Sequence, residues 1–259
     1  MAFTPNPSLV LRGLTLRVQN LEGQLAFYRD LLGLEMIRQE GAHTDLAPAG
    51  GGFTLTLEHD PQAPLRPQPT LGLYHFALLL SNRGHLAAVF RRLLEARYPY
   101  FQGAADHGVS EALYLSDPEG NGIELYRDRP REAWPMREGR LAMVSQPLDL
   151  QALLAEAPKG TGLEAQTTLG HLHLHVGDLD EAQAFFEGLG LTLTQGDYPG
   201  ARFLAADGYH HHIGINRWAQ GRTASAQATG LLGYRLALRG RSAQHLTDPN
   251  GAWVALEPL

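Results

Sequence analysis

Twelve histidines in 259 residues, against four Met, three Trp and no Cys, are the compositional surplus of this chain. An imidazole can ligate a metal through a bare nitrogen or move a proton near neutral pH, so the placement of these rings decides which chemistry is open. In His171-Leu-His173-Leu-His175-Val the three His alternate with Leu172, Leu174 and Val176. Successive side chains of a strand point to opposite faces. The apolar face can therefore pack on helices, and the His face must line a cup or meet solvent. Glu124 shares a face with Gly122 and Tyr126, while Ile123 and Leu125 point the other way. Tyr114, between Leu113 and Leu115, falls on the polar face of its strand. In Tyr209-His-His-His212 the parity of Gly214 turns His210 and His212 toward the same side and His211 away.

Other chemistries are excluded by composition. Without Cys there is no disulfide scaffold, thiol nucleophile, thiolate zinc site or iron–sulfur cluster. A formal net charge of −6 offers no basic stripe to neutralise phosphates, so nucleic acid is not an expected partner. No apolar run approaches the roughly 18 residues needed to span a bilayer, and MAFTPNPSLVLRG lacks the pattern of a signal peptide. A cytoplasmic protein with no membrane partner is expected. Asp117-Pro-Glu-Gly120-Asn-Gly is a turn between strands and not a phosphate loop, since no Lys-Ser/Thr follows it.

The elements that must position these residues repeat along the chain. Residues 14–34 and 172–191 each read as an alternating strand, an Asn or Asp cap, an amphipathic helix and a Gly stop at Gly33 or Gly190. Val18 with Val176, Leu21 with Leu179 and Phe27 with Phe185 share an offset of 158. The same offset relates GLYHFALLL (72–80) to GLLGYRLAL (230–238). Asp117-Pro-Glu-Gly120 recurs as Asp248-Pro-Asn-Gly251 at an offset of 131, so about 27 residues are missing from the last copy, where a helix should lie. Four related units follow, with first strands near Gly13, His75, His171 and Gly233. Residues 8–130 are read as a first domain of units one and two. Residues 131–165 form a connector with a short helix, and 166–259 a second domain of unit three and a shortened unit four.

The capped helix, the Gly-Leu stop and the closing DPEGNGIEL strand resemble the vicinal oxygen chelate superfamily of glyoxalase I, bleomycin resistance proteins and extradiol dioxygenases. EALYLSDPEGNGIELYRDRPREAWP and GYHHHIGINRWA (208–219) are most similar to its catechol-2,3-dioxygenase-like branch. The resemblance covers nearly the whole chain. It implies an α+β fold of four βαβββ units, the fourth lacking its helix, paired into two half-barrel cups. Cups of this type often pack further, which leaves a homo-oligomer open.

In that superfamily ligands come from the first and last strands of paired units. The first-strand positions here are Gly13, His75, His171 and Gly233, and the last-strand positions are Thr56, Glu124, Gly214 and Ala255. Only a pairing of units two and three assembles His75, Glu124 and His171. Units one and four would form a ligand-free cup, in which Gly13→His should do little. Two imidazoles and one carboxylate suit Fe(II), or alternatively Mn(II), with open positions for substrate and dioxygen. Gly214, in place of a fourth ligand, would leave that room. The resemblance assigns Tyr114 and His107 to the active site, with His212 chosen as acid/base and His173 and His210 as substrate contacts. The implied activity is extradiol cleavage of a catechol by O2. A glyoxalase-type lyase or isomerase and a metal-free binding protein are the alternatives.

Overall fold

The computed structural model describes residues 7–158 and 163–259; residues 1–6 of the N-terminal stretch and 159–162 of the connector lie outside the described residues. Unit one runs β1 (Leu9–Val18), α1 (Leu21–Leu25), a π-helical segment (Ala26–Leu32), β2 (Glu35–Glu40), β3 (His43–Ala47) and β4 (Thr54–His59). Unit two is β5 (Gly72–Leu80), α2 (Arg83–Glu95), β6 (Phe101–Asp106), β7 (Ser110–Ser116) and β8 (Gly122–Asp128). The connector holds a 3₁₀ turn (Arg131–Ala133), the small hairpin β9 (Met136–Arg137) and β10 (Arg140–Leu141), β11 (Gln146–Pro147) and the short α3 (Leu150–Ala155). Unit three is β12 (Thr168–His175), α4 (Leu179–Gly188), β13 (Thr192–Gln195), β14 (Ala201–Ala205) and β15 (Ile213–Asn216). Unit four retains β16 (Gly230–Leu238), β17 (Gln244–Thr247) and β18 (Trp253–Pro258). The shortening expected of unit four thus removes one strand as well as its helix.

Local chemistry sets these boundaries. The Asn20 side chain accepts from Gly23 N at 3.0 Å, and Asp178 accepts from Asp180 N and Glu181 N at 2.7 and 2.9 Å, so each helix start has its orphan donors capped. Gly33 and Gly190 end their helices at φ 92° and 101°, a left-handed conformation that a side chain would oppose. The Asp-Pro turns are closed by their first residue. Asp117 accepts from Glu119 N, Asn121 N and Asn121 Nδ2 at 2.8–2.9 Å, and from the Tyr28 hydroxyl of unit one at 2.8 Å. That turn fixes where β8, and with it Glu124, begins.

Within each unit the first strand lies parallel to the last, and the first strands then pair antiparallel between units. β1 joins β16 in a seven-stranded sheet ordered β17-β18-β16-β1-β4-β3-β2. β5 joins β12 in a nine-stranded sheet ordered β11-β6-β7-β8-β5-β12-β15-β14-β13. Units two and three therefore form one half-barrel and units one and four the other. Apolar faces of both sheets, including Leu16, Leu57, Phe76, Leu125, Leu174 and Leu236, meet in one buried core. The His face of β12 looks the opposite way, into its own cup. No helix among the described residues is long and apolar enough to cross a membrane.

The ligand-free cup is closed at the backbone. A Cβ on Gly13 would lie 2.3 Å from the Thr54 carbonyl oxygen, and one on Gly233 would lie 2.0 Å from Trp253 Cδ2. Gly13→His is therefore not the quiet change that the absence of partner ligands suggests, because β4 already occupies its space. Gly13→Ala and Gly233→Ala are each expected to cost roughly 1–3 kcal/mol, as overpacked core sites do. Urea titration checks this, and a wild-type midpoint in both variants would contradict the close approach.

Candidate metal centre

Register brings the three ligand candidates together. β5 lies between β8 and β12, and Ala77 of β5 pairs with Glu124 on one side and with His171 on the other. His75, two residues earlier on β5, shares their face. Ala77 itself is buried, packed with Ala112 and Tyr126. A bulge between Leu169 and His171 resets β12 at Gly170. There the Tyr126 hydroxyl takes the space a Cβ would fill, 1.9 Å from its ideal position.

His171 Nε2 lies 3.1 Å from Glu124 Oε2 and 3.4 Å from His75 Nε2, and His75 Nε2 lies 3.1 Å from the same Glu124 oxygen. All three residues are buried, at 5% exposure or less. Two neutral imidazoles can both donate to the shared Glu124 oxygen, which leaves their Nε2 atoms 3.4 Å apart with no hydrogen between them. A cation satisfies all three lone pairs at once. With metal–donor bonds of about 2.1 Å, neighbouring corners of an octahedron are about 3.0 Å apart, which fits the observed triangle. Burial pushes the Glu124 carboxyl up, but the His171 and His75 imidazoles outweigh it and hold it well below the usual carboxylate range. Burial pushes His75 down, against the pull of Glu124. Both groups are thus in the ionisation state that a metal ligand requires.

Two members of the triad, His75 and Glu124, form part of the wall of a 210 Å³ cavity, and His171 lies directly behind them. Tyr114 pairs directly with Glu124 across β7 and β8, so its ring stands over the triad. His107 Nδ1 lies 2.8 Å from the Val144 carbonyl and must donate to it, so its Nε2 accepts the Tyr114 hydroxyl proton at 2.7 Å. Burial, and then the charge of Glu124, pushes the Tyr114 phenol up, so it stays protonated. His173 also lines the cavity, and its buried Nε2 has no partner among the described residues. A Cβ on Gly214 would lie 2.8 Å from the His173 ring. The space expected to stay open over Gly214 is therefore filled by His173.

The histidine triplet differs from its expected parity. His211 lines the cavity, with its ring centroid 4.1 Å from that of His171. His212 turns away into a separate pocket with Leu9, Leu79 and Asp207, where its Nδ1 accepts from Ala206 N at 3.2 Å. Burial pushes His212 down to about 3. His210 is fully buried and does not reach the cavity; its Nε2 lies 2.9 Å from Asp128 Oδ1. The reason is where pairing begins. β15 starts at Ile213, opposite Leu204, and His212 N also bonds Leu204 O at 2.8 Å, so two residues meet one of β14 there and two-residue alternation does not extend back to the triplet.

Aromatic walls complete the cavity. Tyr74 is brought beside the triad by a second irregularity in the β5–β12 register, with its ring 4.8 Å from His75 and 5.4 Å from Trp218. By plain alternation Tyr74 and His75 would face apart, so nothing in the sequence pattern marks Tyr74. Tyr198 and Phe203 of unit three and Met143 of the connector close the far side. Only contacts between units reveal them.

The family model of the Glyoxalase/Bleomycin resistance protein/Dioxygenase superfamily matches residues 11–125. A Bacillus subtilis protein named Catechol-2,3-dioxygenase is 44% identical over 225 residues, covering 84% of this chain and 78% of its own length. Biphenyl-2,3-diol 1,2-dioxygenase 3 of Rhodococcus globerulus is 29% identical over 144 residues, covering 49% of this chain and 66% of its own. The crystal structure of glyoxalase I from Zea mays superposes with a TM-score of 0.59 at 15% identity, covering 97% of this chain and 92% of that one, which shows a shared fold. With the first of these relatives matched over most of both chains, the protein belongs to the glyoxalase/bleomycin resistance/dioxygenase superfamily, among its extradiol dioxygenases.

Proposed function

We propose that this chain cleaves a catechol beside its diol, using O2 and a divalent metal, Fe(II) or alternatively Mn(II), held by His75, Glu124 and His171. The observation that carries the reading is the buried triangle of Nε2, Nε2 and Oε2 atoms, 3.1–3.4 Å apart, opening on a cavity. Its similarity to a protein named Catechol-2,3-dioxygenase supports the substrate class. When bound, the metal supplies coordination sites for both substrate oxygens and for O2, and a path for electrons between them.

The chain's own residues supply binding and proton transfer. Tyr74, Phe203 and Trp218 give the ring an apolar aromatic slot. His211 is the proton acceptor and later the donor, because it is the non-ligand imidazole of the triplet that lines the cavity. Burial and the neighbouring His171 push it well below the ordinary imidazole range, so it is neutral and ready to accept at neutral pH. The Tyr114 hydroxyl, committed to His107 in the resting protein, is placed to turn its proton toward a substrate oxygen. His173 Nε2, which has no protein partner among the described residues, is placed to bond substrate or dioxygen.

A glyoxalase-type reaction usually takes a fourth ligand from the position of Gly214, and the His173 ring fills that space. Oxygen uptake with catechol separates the two readings. Ring cleavage consumes one O2 per catechol and yields a yellow semialdehyde, whereas isomerase chemistry consumes none.

His75→Ala, His171→Ala and Glu124→Ala are each expected to abolish stoichiometric metal binding while the chain stays folded. Metal analysis alongside circular dichroism checks this, and about one metal per chain in any variant would overturn the ligand set. His211→Ala should keep its metal and lose about 10²- to 10⁴-fold in kcat, the usual worth of a positioned acid or base. Tyr114→Phe should lose less, since only one hydroxyl goes. His212→Ala should turn over close to wild type per folded chain, and a silent His211→Ala beside a damaged His212→Ala would refute the assignment.

A further inference from the structure

Behind His211 lies a buried chain of polar groups that ligand binding does not explain. His210 Nε2 is 2.9 Å from Asp128 Oδ1, and His210 Nδ1 is 2.8 Å from His211 Nδ1. Asp128 also accepts the Tyr209 hydroxyl at 3.0 Å, and Tyr209 in turn lies 2.8 Å from the Tyr126 hydroxyl beside Gly170. His210 is sealed at 0% exposure, with the Trp134 ring 5.3 Å away.

The proton inventory of this chain has a definite direction. A carboxylate can only accept, so Asp128 takes a proton from Tyr209 O–H and another from His210 Nε2–H. A neutral His210 then has a bare Nδ1. At 2.8 Å from it, His211 Nδ1 must carry the hydrogen and donate. That leaves His211 Nε2 bare, and among the described residues no protein group bonds it. Since His211 lines the cavity, its free lone pair is available there. The opposite arrangement requires a doubly protonated His210 beside Asp128, and would leave the bare nitrogen of His211 at Nδ1.

We propose that Asp128 and His210 are positioning residues that hold His211 as its Nδ1–H tautomer, with a bare Nε2 available to the cavity. The inference deepens the reading of His211 as the group that takes the catechol proton, and rests on it. In that step the catechol O–H bond breaks, its electron pair stays on oxygen, and an N–H bond forms at His211 Nε2. No oxidant is needed. A His211 in the other tautomer would meet the substrate hydroxyl with a donor and could not begin the step.

Two substitutions separate positioning from packing. His210→Leu keeps bulk but gives His211 Nδ1 no acceptor, whereas His210→Asn places Oδ1 where Nδ1 was. The full chain, labelled with [15N]histidine and loaded with diamagnetic Zn(II), reports ring tautomers by NMR without turnover. Wild type and His210→Asn should show His211 protonated at Nδ1 and bare at Nε2, and His210→Leu should lose that preference. With Fe(II) loaded, His210→Leu should keep its metal and its KM and lose about 10²-fold in kcat, as wrong-tautomer variants of other imidazole bases do. His210→Asn should recover most of that loss. A wild-type His211 carrying its proton on Nε2, or a His210→Leu variant with unchanged tautomer and kcat, would overturn the proposal. Failure of the wild-type protein to cleave catechol would defeat the reaction but not the tautomer, which the nitrogen spectra read independently.

Discussion

Everything in the site depends on one row of residues across three strands: Glu124 of β8, Ala77 of β5 and His171 of β12. Units two and three each supply an incomplete set of candidate ligands. The antiparallel pairing of β5 with β12 sums them, and His75 completes the triangle from within β5. A slip of that pairing by one residue would carry His171 to the core face and Leu172 into the cup. Register is held against such a slip by the apolar face, because Phe76, Leu172 and Leu174 are all buried beneath the row.

The arrangement gathers three buried Lewis bases with little solvent around them, which costs stability unless a cation joins them. The surrounding structure resists the alternative of relaxing apart. Asp117 ties the start of β8 to the Tyr28 hydroxyl of unit one, and the Tyr126 hydroxyl fills the space above Gly170 at the bulge before His171. On the cavity side, His107 holds the Tyr114 hydroxyl and is itself held by a backbone carbonyl. The result is a rigid polar wall facing aromatic side chains. That division suits a flat substrate whose two oxygens point one way and whose ring points the other.

Much of this was legible in the sequence because repeats carry register with them. The common offset of 158 aligned first strands, and the alternation in His171-Leu-His-Leu-His175 separated the cup face from the core face. The ligand-bearing units could then be matched by what units one and four lack. Three features were not legible, each for a physical reason. Alternation assumes one residue opposite one, and at the entry to β15 both His212 and Ile213 meet Leu204, so His211 and His212 exchanged places. A register irregularity beside His75 brought Tyr74 into the cavity against its parity. Gly13 and Gly214 read as vacancies, yet the Thr54 backbone closes one and the His173 ring fills the other, since a glycine marks close approach as readily as open space.

Anomalous diffraction at the iron edge, from crystals grown anaerobically with Fe(II), tests the central claim most directly. The account predicts one strong peak per chain, about 2.0–2.2 Å from His75 Nε2, His171 Nε2 and Glu124 Oε2 together. An iron peak among other residues, or one bound by His211 in place of a triad member, would contradict it.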